Sequence, residues 1–148
     1  DFKKLVAKLA ALIKTYNPKV ILTFGQEGIS GHKDHITIGQ AALVAARKSR
    51  LRPLEVWQAS MPRSFMKIFN KYIQAIRIHH THFHPKPLKG VSDRKLVKVN
   101  IKQFRRKKLQ ALSCHQSQGL PPWMVHNFPQ VRVYFLTCEC FEVLKLKS

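Results

Sequence analysis

The sequence predicts an α/β fold built on an open, mostly parallel sheet with helices on both faces. Three neighbouring segments indicate it: an amphipathic helix over residues 2–16, a continuous apolar run at Val20–Phe24, and a glycine-rich loop that leads into an apolar helix over residues 36–49. A strand that is buried on both faces of a parallel sheet gives such an uninterrupted apolar run. The order helix, strand, polar loop, helix is typical of this fold class.

The first helix is indicated by apolar residues that recur at steps of three and four. They are Phe2, Leu5, Val6, Leu9, Leu12, Ile13 and Tyr16. Asn17 and Pro18 then end the helix, because the residue before a proline disfavours the helical conformation. The remaining elements are predicted in chain order as a strand at 55–60, a helix at 62–77, a loop at 78–93, a strand at 95–101, a basic helix at 102–113, a loop at 114–130, and a strand at 131–137 that extends through Phe141.

The length and composition indicate one globular domain. The chain has 148 residues, of which 45% are hydrophobic, enough for a core of its own. No apolar run reaches the roughly 18 residues that a membrane-spanning helix needs. The three cysteines, Cys114, Cys138 and Cys140, are too few for a disulfide framework and suit the reducing cytoplasm. Trp57 and Trp123 are compatible with core packing or with stacking on a ligand.

The charge of the chain is strongly positive. Lys and Arg total 27 against 7 Asp and Glu, a formal net charge of +20. Such a field attracts nucleic acids, anionic headgroups or acidic small molecules, and it does not specify a fold. The basic residues are spread along the chain, with a local run at 105–108, so a solvated basic surface is favoured over a dedicated nucleic-acid groove.

The segment His32-x-Asp34-His35 carries the most chemical information. It lies between the buried strand and the following helix, where open sheets bind ligands. Imidazole is a good ligand for Zn²⁺, a second imidazole can protonate a leaving group or stabilise an oxyanion, and a carboxylate can fix a histidine tautomer. On spacing alone, a cap on the following helix is an equally good interpretation, since aspartate is a common N-cap residue.

The string Gly28-Ile29-Ser30-Gly31-His32-Lys33-Asp34-His35, after the strand at 20–24, resembles the second signature of the PIG-L/LmbE-like family of zinc-dependent N-acetylglucosamine deacetylases. Two further matches follow in the family's order, at residues 108–118 and at Glu139-x-Phe141. The resemblance implies a Rossmann-like, LmbE-like sheet. It also implies that His35 ligates zinc, that His32 acts as the acid or oxyanion partner, and that Asp34 tunes His32. His115 matches a family position and is a candidate substrate-binding residue.

The family's first signature, a His-Pro-Asp-Asp-Glu segment, has no match in this sequence. That segment supplies two zinc ligands and the general base, so the resemblance implies a partial domain over residues 1–148 whose N-terminal part is absent. His35 is then the single zinc ligand identified here, and the remaining ligands are expected from the missing segment. A catalytic zinc normally has three protein ligands, so activity of this chain by itself is in question.

The resulting expectation is zinc-dependent hydrolysis of the N-acetyl group of an N-acetylglucosamine conjugate, which the positive field suggests is acidic. The alternative is a basic, non-enzymatic binding module or an inactive remnant of the same fold that binds nucleic acid or other polyanions. A homo-oligomer is compatible with either. The cluster His79-His80-x-His82-x-His84 has no neighbouring carboxylate or cysteine and favours an exposed polar loop over a metal site.

Overall fold

The computed structural model describes residues 1–51, 54–75, 87–114 and 128–146. The chain divides into two compact units. Unit 1 comprises Asp1–Val97 and Cys140–Ser148, and unit 2 comprises Lys98–Glu139. The organisation as a single partial domain, expected from the sequence, stays a prediction.

The elements of unit 1 alternate between helix and strand. They are α1 (Phe2–Tyr16), β1 (Val20–Phe24), α2 (Gly28–Gly31), α3 (Lys33–Ser49), β2 (Leu54–Ala59) and α4 (Arg63–Ala75). The strands β3 (Leu96–Asn100) and β4 (Cys138–Leu146) each contain residues of both units, and unit 2 contains α5 (Arg105–Ser113) and α6 (Pro129–Thr137). The α/β class predicted from the sequence is thereby confirmed.

Helix α1 has the bounds that its apolar spacing predicts. The carboxylate of Asp1 accepts hydrogen bonds from the backbone N–H groups of Lys3 and Lys4, at 2.9 and 3.3 Å, and so caps donors that have no partner within the helix. At the other end Asn17 takes the left-handed conformation, with a φ of 44°, which is a common helix terminator.

The core of unit 1 forms where α1 and α3 pack on each other and on the sheet. Its buried members are Val6, Ile13, Ala41, Ala45, Ala46, Leu54 and Val56. The alanines let the backbone of α3 approach its neighbours closely, because their side chains end at Cβ. Leu54 and Val56 project from one face of β2, as residues two apart on a strand do.

The sheet is mixed, whereas the sequence predicts a mostly parallel one. The strand order is β1-β2-β4-β3. β1 and β2 are parallel, whereas β4 runs antiparallel to β2, with Leu54 opposite Leu146 and Val56 opposite Leu144. This register places Leu144 and Leu146 against the core cluster, so apolar burial stabilises the antiparallel arrangement. The Rossmann-like topology and the placement of helices on both faces stay predictions.

Residues 131–137, predicted as a strand, form the helix α6. Pro129 occupies its first turn, where a residue without an N–H is tolerated. Burial follows helical spacing: Val131 is 0% exposed and Val133 is 62% exposed, while the aromatic residues three and four positions after Val131 are half-buried. A strand would have put Val131 and Val133 on the same face. The predicted extension through Phe141 is a strand, as the first part of β4.

Other boundaries shift by a few residues. The helix predicted at 36–49 begins at Lys33, the strand predicted at 55–60 begins and ends one residue earlier, and the basic helix predicted at 102–113 has a 3₁₀ turn at Lys102–Phe104 before α5. All three cysteines are free thiols, with Cys140 buried and Cys114 exposed. No helix in the described part of the chain is both long and apolar enough to cross a membrane.

Trp57 lies on the face of β2 that points away from the core cluster. Its ring centroid is 5.5 Å from that of Phe141 on β4, and its indole N–H donates to a carboxylate oxygen of Glu55 at 2.8 Å. This hydrogen bond, with the nearby ammonium group of Lys145, lowers the pKa of Glu55. Trp57 is therefore half-buried against its sheet neighbours, and its N–H already has a partner.

Candidate functional site

The loop after β1 is held in a conformation that demands glycine. Gly28 and Gly31 have φ angles of 58° and 78°, and Ile29 between them has a φ of 65°. Positive φ is open to glycine but strained for a β-branched residue. A Cβ added at Gly28 would lie 2.9 Å from the Cβ of His35. The loop therefore brings its backbone directly against the histidine that follows on α3.

His32 is the N-cap residue of α3. Its ring nitrogen Nδ1 accepts a hydrogen bond from the backbone N–H of Asp34 at 3.2 Å. A nitrogen that accepts this bond carries no hydrogen, so the neutral ring has its hydrogen on Nε2. The capping position that the sequence suggested for Asp34 thus belongs to His32, and the cap fixes the tautomer of its ring.

His35 sits in the first turn of α3 with the opposite tautomer. Its Nδ1 is 3.0 Å from the carbonyl oxygen of Gly28. A carbonyl oxygen can only accept, so Nδ1 carries the hydrogen and Nε2 of the neutral ring keeps its lone pair. The ring also stacks on Phe24 at the end of β1, with centroids 4.0 Å apart and planes within 1°. Two contacts therefore fix the orientation of this imidazole.

The two imidazole rings lie side by side at the carboxyl end of β1. Their centroids are 5.1 Å apart and their planes are inclined by 41°, and both residues are half-buried. His35 has the arrangement that metal-ligating histidines adopt, in which one nitrogen donates to a carbonyl and the other is free to bind. His32 presents an N–H. The pair thus offers a lone pair and a hydrogen-bond donor on two neighbouring rings.

Asp34 is the most exposed of the three predicted site residues. One of its carboxylate oxygens is 3.8 Å from Nδ1 of His32, and its side chain is 90% exposed. This distance is too long for a hydrogen bond, and solvent screens a charge at such exposure. The backbone N–H of Asp34, rather than its carboxylate, makes the direct contact with the ring. The tuning role of the carboxylate stays a prediction.

Glu27 has a structural role that sequence reasoning did not assign. Its two carboxylate oxygens accept hydrogen bonds from the backbone N–H groups of Lys89 and Gly90, at 2.9 and 2.8 Å. It thereby ties the loop before the histidines to a second loop far along the chain. The partners of Glu27 are 62 and 63 residues away, so its role cannot be inferred from nearby residues. Its position beside Gly28 is the one feature of the sequence that marks it.

A cavity of about 220 Å³ opens where β1 and β2 end. Its lining includes Glu27 and Ser60, together with two basic residues, Arg63 and Lys89. Neither His32 nor His35 is among its described lining residues. The cavity and the histidine pair are therefore neighbouring features of the same sheet edge, joined through the loop at Glu27.

Gly39 sets the distance between α3 and the end of β1. A Cβ at this position would lie 2.3 Å from the carbonyl oxygen of Phe24, an oxygen that also accepts a hydrogen bond from the buried Gln58 at 3.3 Å. Gly39→Ala should lower the free energy of unfolding by about 1–3 kcal/mol, the usual effect of overpacking. This net loss is expected although alanine favours a helix by about 1 kcal/mol over glycine.

Urea unfolding followed by circular dichroism measures this effect. The matched control is Gln40→Ala on the exposed side of α3, which should change the stability by no more than about 0.5 kcal/mol. A Gly39→Ala protein at least as stable as the wild type would show that helix and strand do not approach as closely as described.

Part of the predicted chemistry falls outside the described residues. His115, the cluster at 79–84 and Trp123 all lie there. Among the residues that the structure does describe, no group of three histidine, cysteine, aspartate or glutamate side chains is placed to hold a metal ion. His35 fits the role of one zinc ligand by its geometry, and the described residues do not complete a ligand set around it.

Comparison with known proteins finds a family model that matches the segment containing this loop. Residues 1–46 match the family described as GlcNAc-PI de-N-acetylase (PIG-L). The matched range contains His32, Asp34 and His35, so the resemblance to PIG-L/LmbE-like proteins inferred from these residues is confirmed. The further matches at residues 108–118 and at Glu139-x-Phe141 lie beyond this range.

One curated relative is a 1D-myo-inositol 2-acetamido-2-deoxy-alpha-D-glucopyranoside deacetylase from Acidothermus cellulolyticus. It is 31% identical over 77 residues, which cover 52% of this chain and 25% of the relative. The match thus spans about a quarter of the length of that protein. No solved structure matches the chain.

Proposed function

We propose that this chain supplies one side of the active site of a zinc-dependent deacetylase that acts on an N-acetylglucosamine conjugate. The observation that carries the proposal is the pair of complementary tautomers: a free lone pair on Nε2 of His35 and an N–H on Nε2 of His32, on rings whose centroids are 5.1 Å apart. The family match and the deacetylase name of the relative support the reaction class.

Each of the two histidines has one role in the proposed hydrolysis. His35 would hold zinc through Nε2, because its Nδ1 is occupied by the Gly28 carbonyl. His32 would donate a hydrogen bond from its Nε2–H to the oxygen of the acetamide as negative charge develops there, and the proton released by the attacking water would reach the departing amine. Water adds to the carbonyl carbon, the C–N bond breaks, and acetate and a free amino sugar leave. Asp34 would tune His32, and His115 would bind the substrate.

A bound metal would supply two functions that an imidazole ring cannot. Bound zinc would act as a Lewis acid on the acetamide carbonyl and lower the pKa of a water molecule. Its remaining ligands are expected from residues outside the described part of the chain, or from a segment that this sequence does not include. The excess of basic over acidic residues favours a conjugate that bears a carboxylate or a phosphate.

The test is an acetate-release assay on the whole gene product that contains this sequence. Zinc-loaded protein would be given N-acetylglucosaminyl-inositol and an N-acetylglucosamine conjugate that carries an acidic group, and both acetate and the free amine would be measured. His32→Ala should lower kcat by roughly 10²–10³-fold, the usual effect of removing one hydrogen-bond donor to a developing oxyanion. Its zinc content and KM should change little, because His32 binds neither the metal nor the ground-state substrate strongly.

Lys33→Ala is the matched control, since Lys33 lies between the two site residues with an exposed side chain. It should leave kcat unchanged. If wild-type protein releases no acetate from either conjugate, or if His32→Ala turns over as fast as the wild type, the proposed function is wrong. Loss of zinc from His32→Ala would instead show that this residue is a ligand.

A further inference from the structure

Unit 2 carries a positive charge that its own residues do not balance. Residues Lys98–Glu139 contain seven lysines and arginines against one carboxylate, Glu139, an excess of six. That carboxylate accepts a hydrogen bond from the ammonium group of Lys108 at 2.6 Å. Lys108 also lies 5.7 Å from the ring centre of Phe135. The single carboxylate of the unit is therefore already paired with Lys108.

A groove of about 420 Å³ lies between α5 and α6, and three of these basic side chains line it. They are Arg105 and Arg106 on α5 and Arg132 on α6, and all three are exposed. The rest of its lining is largely aliphatic and includes Leu109, Val133 and Leu136. Val133 is 62% exposed, so an apolar side chain lies open to solvent directly beside the guanidinium groups.

The groove thus combines three guanidinium groups with an aliphatic floor. Guanidinium groups bind phosphate oxygens through paired hydrogen bonds. An aliphatic floor suits the glycerol and first methylene groups of a lipid, and it does not suit a nucleic-acid strand, whose bases stack on aromatic rings. None of the described lining residues is aromatic. The guanidinium groups therefore match the phosphate of an anionic phospholipid, and the aliphatic floor matches its glycerol and first methylene groups.

We infer that unit 2 docks on membrane surfaces that contain anionic phospholipid. The three arginines bind the headgroup phosphates, and Val133 with its aliphatic neighbours contacts the boundary between headgroups and acyl chains. This peripheral mode of binding lies in the membrane interface and needs no spanning segment. The proposed membrane binding does not involve the histidine pair in unit 1. Its test therefore does not depend on whether the chain is part of a deacetylase.

The experiment measures co-sedimentation of the full chain with phosphatidylcholine vesicles, with and without phosphatidylserine. The protein should bind the vesicles that contain phosphatidylserine and not those of phosphatidylcholine alone. Replacing Arg105, Arg106 and Arg132 together with glutamine should weaken binding by about 100-fold, since each basic residue at an anionic surface contributes about fivefold. Val133→Ser should weaken it by about fourfold, the equivalent of one buried methylene group.

Two matched controls separate the groove from the overall charge. Replacing Lys3, Lys4 and Lys8 of α1 with glutamine removes the same three charges from exposed positions in unit 1, and should weaken binding by no more than about fivefold. Val20→Ser changes a valine of unit 1 that is 44% exposed, and it should leave binding unchanged. Circular dichroism of each variant shows whether it is folded.

The lysine variant decides whether the groove is responsible. Equal losses from the lysine and arginine variants would overturn the proposal, because binding would then depend on net charge alone. An unchanged affinity of Val133→Ser would overturn the role of the aliphatic floor. Failure to bind phosphatidylserine vesicles, together with arginine-dependent binding of a DNA or RNA oligonucleotide, would show that the groove serves nucleic acid instead.

Discussion

Replacing His35 with alanine is expected to abolish both zinc retention and acetate release by the gene product that contains this chain. The imidazole is already oriented by the Gly28 carbonyl and by stacking on Phe24, so its lone pair meets the metal without rearrangement. Loss of a mere supporting contact around a metal site lowers affinity by about 10–100-fold. Removal of the ligand itself should exceed about 100-fold, and turnover should fall to the uncatalysed background.

Metal content after dialysis and acetate release give the two readouts. His35→Cys is an informative companion, because a thiolate also binds zinc and should retain part of the metal that alanine loses. His32→Ala should retain all of it. If His35→Ala holds as much zinc as the wild type, then His35 is not a ligand, even if acetate release is lost.

Leu54→Ala is expected to cause the largest loss of stability from a single side chain in unit 1. Leu54 is 1% exposed and lies at the start of β2 in the cluster that joins α1, α3 and the sheet. Alanine would leave a cavity that these elements cannot fill without moving. The free energy of unfolding should fall by about 3–5 kcal/mol, as for other fully buried leucines, which is a large part of the total stability of a domain.

Chemical denaturation with urea measures this loss. The matched control is Leu22→Ala, which makes the same chemical change on the adjacent strand β1, at a side chain that is 67% exposed. Its effect should stay within about 1 kcal/mol. Similar losses from the two substitutions would contradict the assignment of Leu54 to the core and of Leu22 to the surface.

The placement of His32 and His35 side by side could be predicted because its determinants are local. The apolar run of β1, the glycines of the loop and the residues 32–35 follow one another directly in the sequence. Once a strand delivers the chain to the edge of a sheet, close sequence spacing is enough to place two rings side by side. The tautomers were not predictable, since they depend on which backbone atoms the ring nitrogens meet.

Non-local pairing accounts for what the sequence did not reveal. The antiparallel contact of β4 with β2 joins residues that are more than eighty positions apart, and no periodicity specifies a partner strand. The sequence predicts a strand in place of helix α6 because Val131, Val133, Tyr134 and Phe135 all have high β-propensity. The packing of Val131 and the turn at Pro129 outweighed that preference. The contact between Glu27 and the loop at Lys89 could not be predicted either, because it joins residues that are far apart in the sequence.

The partner of Nδ1 in His35 is a main-chain oxygen, and this has an evolutionary consequence. Every amino acid has the same main-chain carbonyl group, so a substitution that changes only a neighbouring side chain does not remove this hydrogen bond. Substitutions among the polar residues of the loop would leave the imidazole oriented as before, by this hydrogen bond and by the stacked ring of Phe24. Substitutions that change the orientation of the ring are expected at Gly28, where a side chain would alter the path of the backbone, rather than among the polar residues nearby.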